Sequence, residues 1–274
     1  MFFILDMRAA TVAGAVIPGH LLKGSLLDLQ TLPKVTFLVH GFNVNQADGQ
    51  NHLEKFAGML SDVGTDEAAV AAVAVLWPGD SFLGPISYPF ESTKADDSAA
   101  ELAKFIGDQL PQRPRISFIA HSLGSRVTMK TVSLLQNWGI AVDQVCLMAA
   151  AIDNDSLASS SEYRNATEYA ARVAVLYSTK DTVLRFAYPA GNLLQSFIHW
   201  NSTTDAALGL SGPRPRFSPY QDIPAKVYAD RIPDQRGVDH GDYLPGDGPA
   251  PNRNQASAAR FANDIVAGRT PVFT

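Results

Sequence analysis

The sequence predicts an α/β protein with a mostly parallel central sheet and helices on both faces. Short apolar runs rich in β-branched residues alternate with segments of helical spacing, which is the pattern of βαβ units. Of the 274 residues, 46% are hydrophobic and 18% are charged. Soluble proteins usually carry about 25% charged residues. The lower fraction here favours a well-buried core and argues against disorder.

The strands are expected where apolar residues run without interruption, as they do in parallel strands buried on both faces. The clearest runs are 35–40, 71–77, 115–121 and 172–178. A fifth candidate, 144–152, contains alanines that also suit a helix, and 225–230 is a short strand candidate. The N-terminal run MFFILDMRAA has no cationic stretch before its apolar residues and is interrupted by Asp6. It therefore predicts a first strand and not a signal peptide.

Helical spacing separates these runs. Apolar residues recur every three or four positions in 46–61, 95–110 and 124–137, and a last helix is expected over 255–267. From residue 182 the alternation stops, and the segment 182–223 has few charges and many aromatic residues. Long insertions of this kind often cover an active site. We expect a lid-like insertion here, the alternative being a helical excursion that packs on the core, within a single domain spanning residues 1–274.

Charge and cysteine content exclude several classes of function. The 22 Lys and Arg residues against 27 Asp and Glu give a net charge of −5, so the clustered cations that nucleic-acid binding requires are missing. Cys146 is the single cysteine, and we expect it to be a small buried apolar residue; it offers neither an internal disulfide nor a multi-cysteine zinc site. The uncharged stretch 9–22 is too short to span a bilayer. We expect a cytoplasmic protein without nucleic-acid partner or membrane segment.

One motif at the end of a predicted strand carries chemistry. Residues 119–125 read IAHSLGS, a small-x-Ser-x-Gly pattern with Ala120 in the place of the first glycine. A strand that turns sharply into a helix exposes the middle residue, Ser122, and leaves room only for small side chains at Ala120 and Gly124. The next backbone N–H, that of Leu123, then lies at a helix N-terminus and is suited to bind an oxyanion. The alternative is that Ser122 caps the following helix.

A second loop supports an acyl-transfer site. Strand 35–40 runs into HGFN at 40–43, where Gly41 lets the backbone turn so that the N–H of Phe42 becomes a second oxyanion donor. His40 could be a catalytic base or could line the substrate pocket. Its position at the end of an inner strand better suits a structural histidine that hydrogen-bonds the loop, and we prefer that interpretation.

VHGFN (39–43) followed by AHSLGS (120–125) resembles the α/β-hydrolase superfamily of serine hydrolases. The closest likeness is to a bacterial branch that carries HGFN and AHSxGS, and the segments WPG (77–79) and ALGLSGP (207–213) also resemble that branch. The resemblance covers most of residues 35–270. It implies the α/β-hydrolase fold, a Ser nucleophile, and no metal or organic cofactor.

The superfamily order is Ser, then acid, then His, with the acid after the next-to-last strand and the His after the last. Asp181 follows the strand at 172–178, and His240 follows the strand at 225–230. Asp153, which follows the candidate strand 144–152, is the alternative acid, since some members take their acid from that position. Asp153 could otherwise cap a helix. Chain order favours Asp181.

The acyl pocket is expected to be apolar with a few polar groups. Its candidate walls are aromatic side chains that could equally form a satellite core: Phe82, Tyr88, Phe186, Phe197 and Trp200. His199 is expected to pack or to line the pocket. Three acidic residues around His240 invite a calcium interpretation, but the spacing of Asp239, Asp242 and Asp247 misses the calcium-loop pattern, and we take the first two as loop solvation.

Together these features predict a serine hydrolase that acts on a small-molecule ester. Ser122 would be acylated, His240 would move the proton, and Asp181 would orient His240. Few charges in the candidate walls favour esters or thioesters of apolar acyl groups. The alternatives are an acyltransferase or a peptidase on the same fold, and a non-catalytic hydrolase-like module that binds a ligand.

Overall fold

The computed structural model describes residues 1–9, 15–62, 70–79, 88–159, 161–186, 206–215 and 222–274. Within these ranges the chain forms an eight-stranded sheet in the order β2-β1-β4-β3-β5-β6-β7-β8. The strands are β1 (Phe2–Arg8), β2 (Val16–Lys23), β3 (Lys34–Val39), β4 (Val70–Leu76), β5 (Arg115–His121), β6 (Val142–Met148), β7 (Arg172–Tyr177) and β8 (Val227–Arg231). Neighbouring strands are parallel except for the antiparallel pair β1 and β2. The predicted mostly parallel sheet is confirmed.

Helices cover both faces of this sheet, as predicted. They are α1 (Leu26–Thr31), α2 (Gln46–Asp62), α3 (Tyr88–Gln109), α4 (Gly124–Leu135), α5 (Arg164–Tyr169), α6 (Leu208–Ser211) and α7 (Arg253–Val266). On one face α3 packs against α4, and α4 against α5; on the other, α2 packs against α7. None of the helices in the described ranges combines the length and the apolar character needed to cross a bilayer.

The N-terminal region contains more structure than the sequence predicted. The first strand is confirmed as β1, but β2 and α1 were not expected. Strand β2 lies at the edge of the sheet, contains Pro18, and is only partly buried. A proline is tolerated at an edge because one side of the strand needs no partner, and this same proline obscures the strand pattern in the sequence.

The candidate strand 144–152 is a strand over Val142–Met148, buried between β5 and β7. Its alanines at 149–151 follow the strand and lie in the turn beyond it, where Ala149 adopts a left-handed φ of 47°. Hydrogen bonds to both neighbouring strands stabilise the extended form. The helical alternative is therefore excluded by pairing that the alanine content does not reveal.

Most of the insertion 182–223 lies outside the described residues, and so does the predicted lid. Residues 182–186 are helical, and the stretch 206–212 packs against the turn that follows β6. A Cβ on Gly209 would lie 2.2 Å from the carbonyl carbon of Ala149, so glycine is required for this close approach. The described part of the insertion is thus packed on the edge of the sheet.

Candidate active site

The candidate site lies at one edge of the sheet. Strands β3, β5, β7 and β8 are parallel, so their carboxyl ends meet at the same edge. Open α/β sheets bind ligands there. Loops after these four strands carry Phe42, Ser122, Asp181 and His240, respectively.

Ser122 lies on a strained turn between β5 and α4. Its φ is 54°, a left-handed value that costs a residue with a side chain about 1–3 kcal/mol. The strain is held by backbone hydrogen bonds, since the N–H of Ser122 donates to Met148 O (3.0 Å) and its carbonyl accepts from Ser125 (3.0 Å) and Ala151 (3.1 Å). Ser122 is 6% exposed, and its hydroxyl is hydrogen-bonded to the ring of His240.

Two glycines allow strands and helix to approach closely at this turn. A Cβ on Gly124 would lie 2.4 Å from the carbonyl oxygen of His40, and a Cβ on Gly41 would lie 2.8 Å from Cβ of Ser122. Real Cβ atoms do not approach so closely. Gly124 therefore lets α4 cross β3, and Gly41 lets the loop after β3 lie against Ser122.

Hydrogen bonds join Ser122, His240 and Asp181 in a line. Ser122 Oγ lies 2.9 Å from His240 Nε2, and His240 Nδ1 lies 2.8 Å from Asp181 Oδ2. Since an ionised carboxylate only accepts, Nδ1 carries the proton and Nε2 is left to accept from the serine hydroxyl. The side chain of His240 is 15% exposed and that of Asp181 is fully buried.

The buried carboxylate of Asp181 has two donors. Its Oδ2 accepts from His240, and its Oδ1 accepts from the backbone N–H of Leu184 at 2.8 Å. Asp181 thus caps the helical residues 182–186 while it orients the imidazole. Both oxygens are satisfied, which a buried charge requires.

The loops that carry Asp181 and His240 are also joined to each other. Ser178 Oγ donates to Val238 O at 2.6 Å, and both the N–H and the hydroxyl of Thr182 donate to Asp239 Oδ1, at 2.8 and 2.9 Å. Asp239 also accepts from the N–H of His240 at 2.8 Å, while Asp242 Oδ2 accepts from the N–H of Asp239. Burial opposes ionisation of Asp239, but the bonds from Thr182 and His240 outweigh it and lower its pKa.

Asp239 and Asp242 were interpreted as loop solvation, and the structure corrects this. Their side chains form a capping box at the short helical turn that begins with His240. The sequence signal for this box is the three-residue spacing of Asp239 and Asp242, which are its N-cap and N3 residues. Asp247 lies elsewhere, 3.2 Å from His52 Nε2 on α2. The three carboxylates considered for calcium therefore serve different partners.

The backbone N–H groups of Phe42 and Leu123 donate no backbone hydrogen bond within the described part of the chain. The loop that carries Phe42 is held by Asn43, whose N–H donates to Gly79 O at 2.7 Å and whose φ is 59°. The end of β1 also holds this loop. Arg8 Nη1 donates to Val44 O at 3.0 Å, and Asp6 Oδ2 accepts from Gln46 at 2.6 Å.

His40 is 1% exposed, and both ring nitrogens have partners. Nδ1 donates to Gly41 O at 2.8 Å, Nε2 accepts from the N–H of Trp77 at 3.3 Å, and the ring stacks on Trp77 with centroids 5.6 Å apart. These contacts match the interpretation of a histidine that holds the loop. They leave no ring nitrogen for a substrate.

One of the remaining pocket candidates lies within the described residues. Phe186 is described and exposes 72% of its surface. Phe82, Phe197, His199 and Trp200 lie outside the described residues. Tyr88 is described by its backbone, as the first residue of α3, and not by its side chain.

Asp153, the alternative acid, lies beyond β6 on a bridge to Ala207, and its carbonyl accepts from Ser156 Oγ at 2.6 Å. The carboxylate that reaches His240 Nδ1 is that of Asp181.

Sequence reasoning missed His121. Its Nε2 lies 2.9 Å from the carbonyl oxygen of His240, and the two rings lie 4.9 Å apart between centroids. The signal was available, since His121 directly precedes Ser122 at the carboxyl end of β5. The sequence does not indicate its hydrogen-bond partner, the carbonyl of His240, which is 119 residues away.

Comparisons with known proteins add the family. No curated protein sequence matches the chain. Among solved structures, a predicted CIB-like hydrolase from Thermoplasma acidophilum is 12% identical with a TM-score of 0.47, over 97% of this chain and 98% of that one. The catalytic core domain of acetyl xylan esterase from Trichoderma reesei is 14% identical with a TM-score of 0.40, over 86% and 96%. These low values carry no argument about activity. The model of one family matches residues 25–193, more than half of the chain, and the chain therefore belongs to the family described as α/β hydrolase of unknown function (DUF900).

Proposed function

We propose that this α/β hydrolase is a serine hydrolase that cleaves carboxylic esters or thioesters of apolar acyl groups. The observation that carries the proposal is the line of hydrogen bonds from Ser122 Oγ through His240 to the buried carboxylate of Asp181. A serine hydroxyl is a weak nucleophile unless a base accepts its proton, and the base in turn needs a group that fixes its tautomer. His240 lies where such a base is needed, and Asp181 where the orienting group is needed.

The reaction follows from this arrangement. Ser122 Oγ attacks the acyl carbon while its proton passes to His240 Nε2, which gives a tetrahedral intermediate and an imidazolium. Asp181 stabilises the imidazolium through Nδ1–H. The intermediate collapses as Nε2 returns the proton to the leaving alkoxide or thiolate, leaving acylated Ser122. A water molecule then repeats the sequence, with His240 as its base, and releases the carboxylic acid.

The oxyanion of the intermediate would be bound by the N–H groups of Phe42 and Leu123. Both belong to backbone held by hydrogen bonds and close packing, so they need no reorganisation when the charge develops. One such donor typically accelerates the reaction by about 10²–10³-fold.

The substrate class rests on sequence. The segments 82–90 and 186–200 are rich in aromatic residues, which we expect to form walls of the acyl pocket, and such walls favour an apolar acyl group. The cytoplasmic location stays a prediction from the sequence.

The first experiment combines two readouts on wild type and Ser122→Ala. We expect a fluorophosphonate probe to label the wild type, and p-nitrophenyl esters of increasing chain length to be hydrolysed. The alanine variant should lose both, because it has no hydroxyl to acylate, and the preferred chain length measures the acyl pocket.

Ser125→Ala is the matched control. Ser125 is also buried, three residues further on, and within the described residues its hydroxyl has no hydrogen-bond partner. It should keep labelling and turnover. Hydrolysis that survives in Ser122→Ala would refute the mechanism, and a wild type that is neither labelled nor active would favour a ligand-binding module.

A further inference from the structure

Two consecutive side chains, of the last residue of β5 and of the turn that follows, contact the same residue. Ser122 Oγ bonds the ring of His240 at 2.9 Å, and His121 Nε2 bonds the main-chain carbonyl of His240 at 2.9 Å. The turn therefore holds His240 at two points, one of which is the reacting atom. The second point fixes where the backbone that carries the imidazole lies relative to Ser122.

The direction of the second bond is determined by its acceptor. A carbonyl oxygen only accepts, so Nε2 of His121 carries a proton and donates. Loss of water around the ring and, next, the neighbouring His240 imidazole lower the pKa of His121 to about 3. The ring is therefore neutral around pH 7, and it places no positive charge beside the imidazolium that forms on His240.

Packing fixes the ring of His121 in this orientation. The ring of Tyr243, itself fully buried, lies 5.9 Å away between centroids, and that of His240 lies 4.9 Å away. The ring also lies close to Gly41, since a Cβ added at Gly41 would be 3.2 Å from Nδ1 of His121. A ring confined in this way loses little entropy when it makes its hydrogen bond.

We propose that His121 is a positioning residue that sets the distance between His240 Nε2 and Ser122 Oγ through its hydrogen bond to the His240 carbonyl. The inference rests on the proposed function of Ser122 and His240. It assigns to His121 a role in the rate of acylation and none in contact with the substrate.

The test compares His121→Gln, which keeps an N–H donor at a similar reach, with His121→Leu, which fills the space without a donor. We measure the rate of fluorophosphonate labelling and the kcat and KM for a p-nitrophenyl ester. His121→Leu should lower labelling and kcat by about 10- to 100-fold with KM unchanged, because a misplaced base affects the transition state and not ground-state binding. His121→Gln should retain most of both rates.

A role in packing alone predicts the opposite order, because leucine packs against the rings of His240 and Tyr243 without a polar amide to satisfy. Equal rates in the two variants, or a faster leucine variant, would overturn the inference while wild-type labelling still supports the proposed function. A wild type that is not labelled would overturn the proposed function itself.

A measurement on the wild type tests the inference even if both variants misfold. Nitrogen NMR of the labelled imidazoles should find His121 neutral and protonated on Nε2 over about pH 5–8. A proton on Nδ1 instead would remove the donor on which the inference depends.

Discussion

Asp181 shows how much a single side chain at this site depends on its surroundings. Its carboxylate is fully buried, caps a helical segment through Leu184 and orients His240 at 2.8 Å. Asp153 has the same charge and also follows a strand, yet it is joined by a bridge to Ala207. Asp181 lies within hydrogen-bond distance of His240 Nδ1, and this contact predicts different effects of the same substitution at the two aspartates.

Asp181→Asn should lower kcat by about 10³–10⁴-fold, because an amide that donates to Nδ1 would leave the proton on Nε2, where it cannot accept from Ser122. Asp153→Asn is the matched variant and should have little effect. The measurement is kcat for a p-nitrophenyl ester. If the Asp153 variant loses more activity than the Asp181 variant, the role of the acid belongs to Asp153.

At the scale of elements, the site depends on how closely β3 and α4 cross. Gly124 at the start of α4 contacts the end of β3 without room for a methyl group. The loops after β7 and β8 are joined in turn by hydrogen bonds from Ser178 and Thr182. His240 and Asp181 are therefore held by paired loops, and Ser122 by a crossing of strand and helix.

Gly124→Ala should destabilise the fold and inactivate the enzyme together. The added methyl group would lie 2.4 Å from a backbone oxygen, so α4 must move away from β3, at a cost typical of overpacking, about 1–3 kcal/mol. Gly58→Ala on α2 is the control, because a Cβ there meets nothing within 4 Å.

Since alanine is the better helix former, the control should raise the free energy of unfolding by about 0.5–1 kcal/mol. Urea denaturation measures both variants. Wild-type stability in Gly124→Ala would contradict the close approach of α4 and β3.

At the scale of the molecule, one continuous apolar core extends from Phe3 on β1 to Ile265 on α7. We propose on this basis that residues 1–274 form one domain. Cys146 on β6 lies within this core, flanked by β5 and β7 and covered by helices. Burial raises the pKa of its thiol, which keeps it protonated and unreactive.

Alkylation of Cys146 by iodoacetamide should therefore report opening of the whole molecule. We expect no labelling of the native protein, and labelling in urea that follows the loss of circular dichroism. The physical reason is that the side chain of Cys146 points to a face of the sheet, where packed helices cover β6, and it becomes accessible only when these helices come away. Fast labelling without denaturant would show that this part of the sheet opens locally.

Prediction from the sequence succeeded for elements whose signal lies within a few consecutive residues. The apolar runs located the inner strands, since burial on both faces leaves an uninterrupted apolar pattern. It missed β2, where an edge strand with Pro18 has no such pattern, and it extended the strand candidate 144–152 over alanines 149–151, which follow the end of β6. In both places the partner strands decide the structure.

The sequence by itself determined the mostly parallel sheet, the strained turn at Ser122 and the order of candidate residues along the chain, because each depends on residues within a few positions of one another. The tertiary structure decided which aspartate reaches His240, across 59 residues, and that His121 holds the carbonyl of His240, across 119. Hydrogen bonds between loops so distant in sequence depend on where parallel strands end relative to one another. That placement is a property of the assembled sheet.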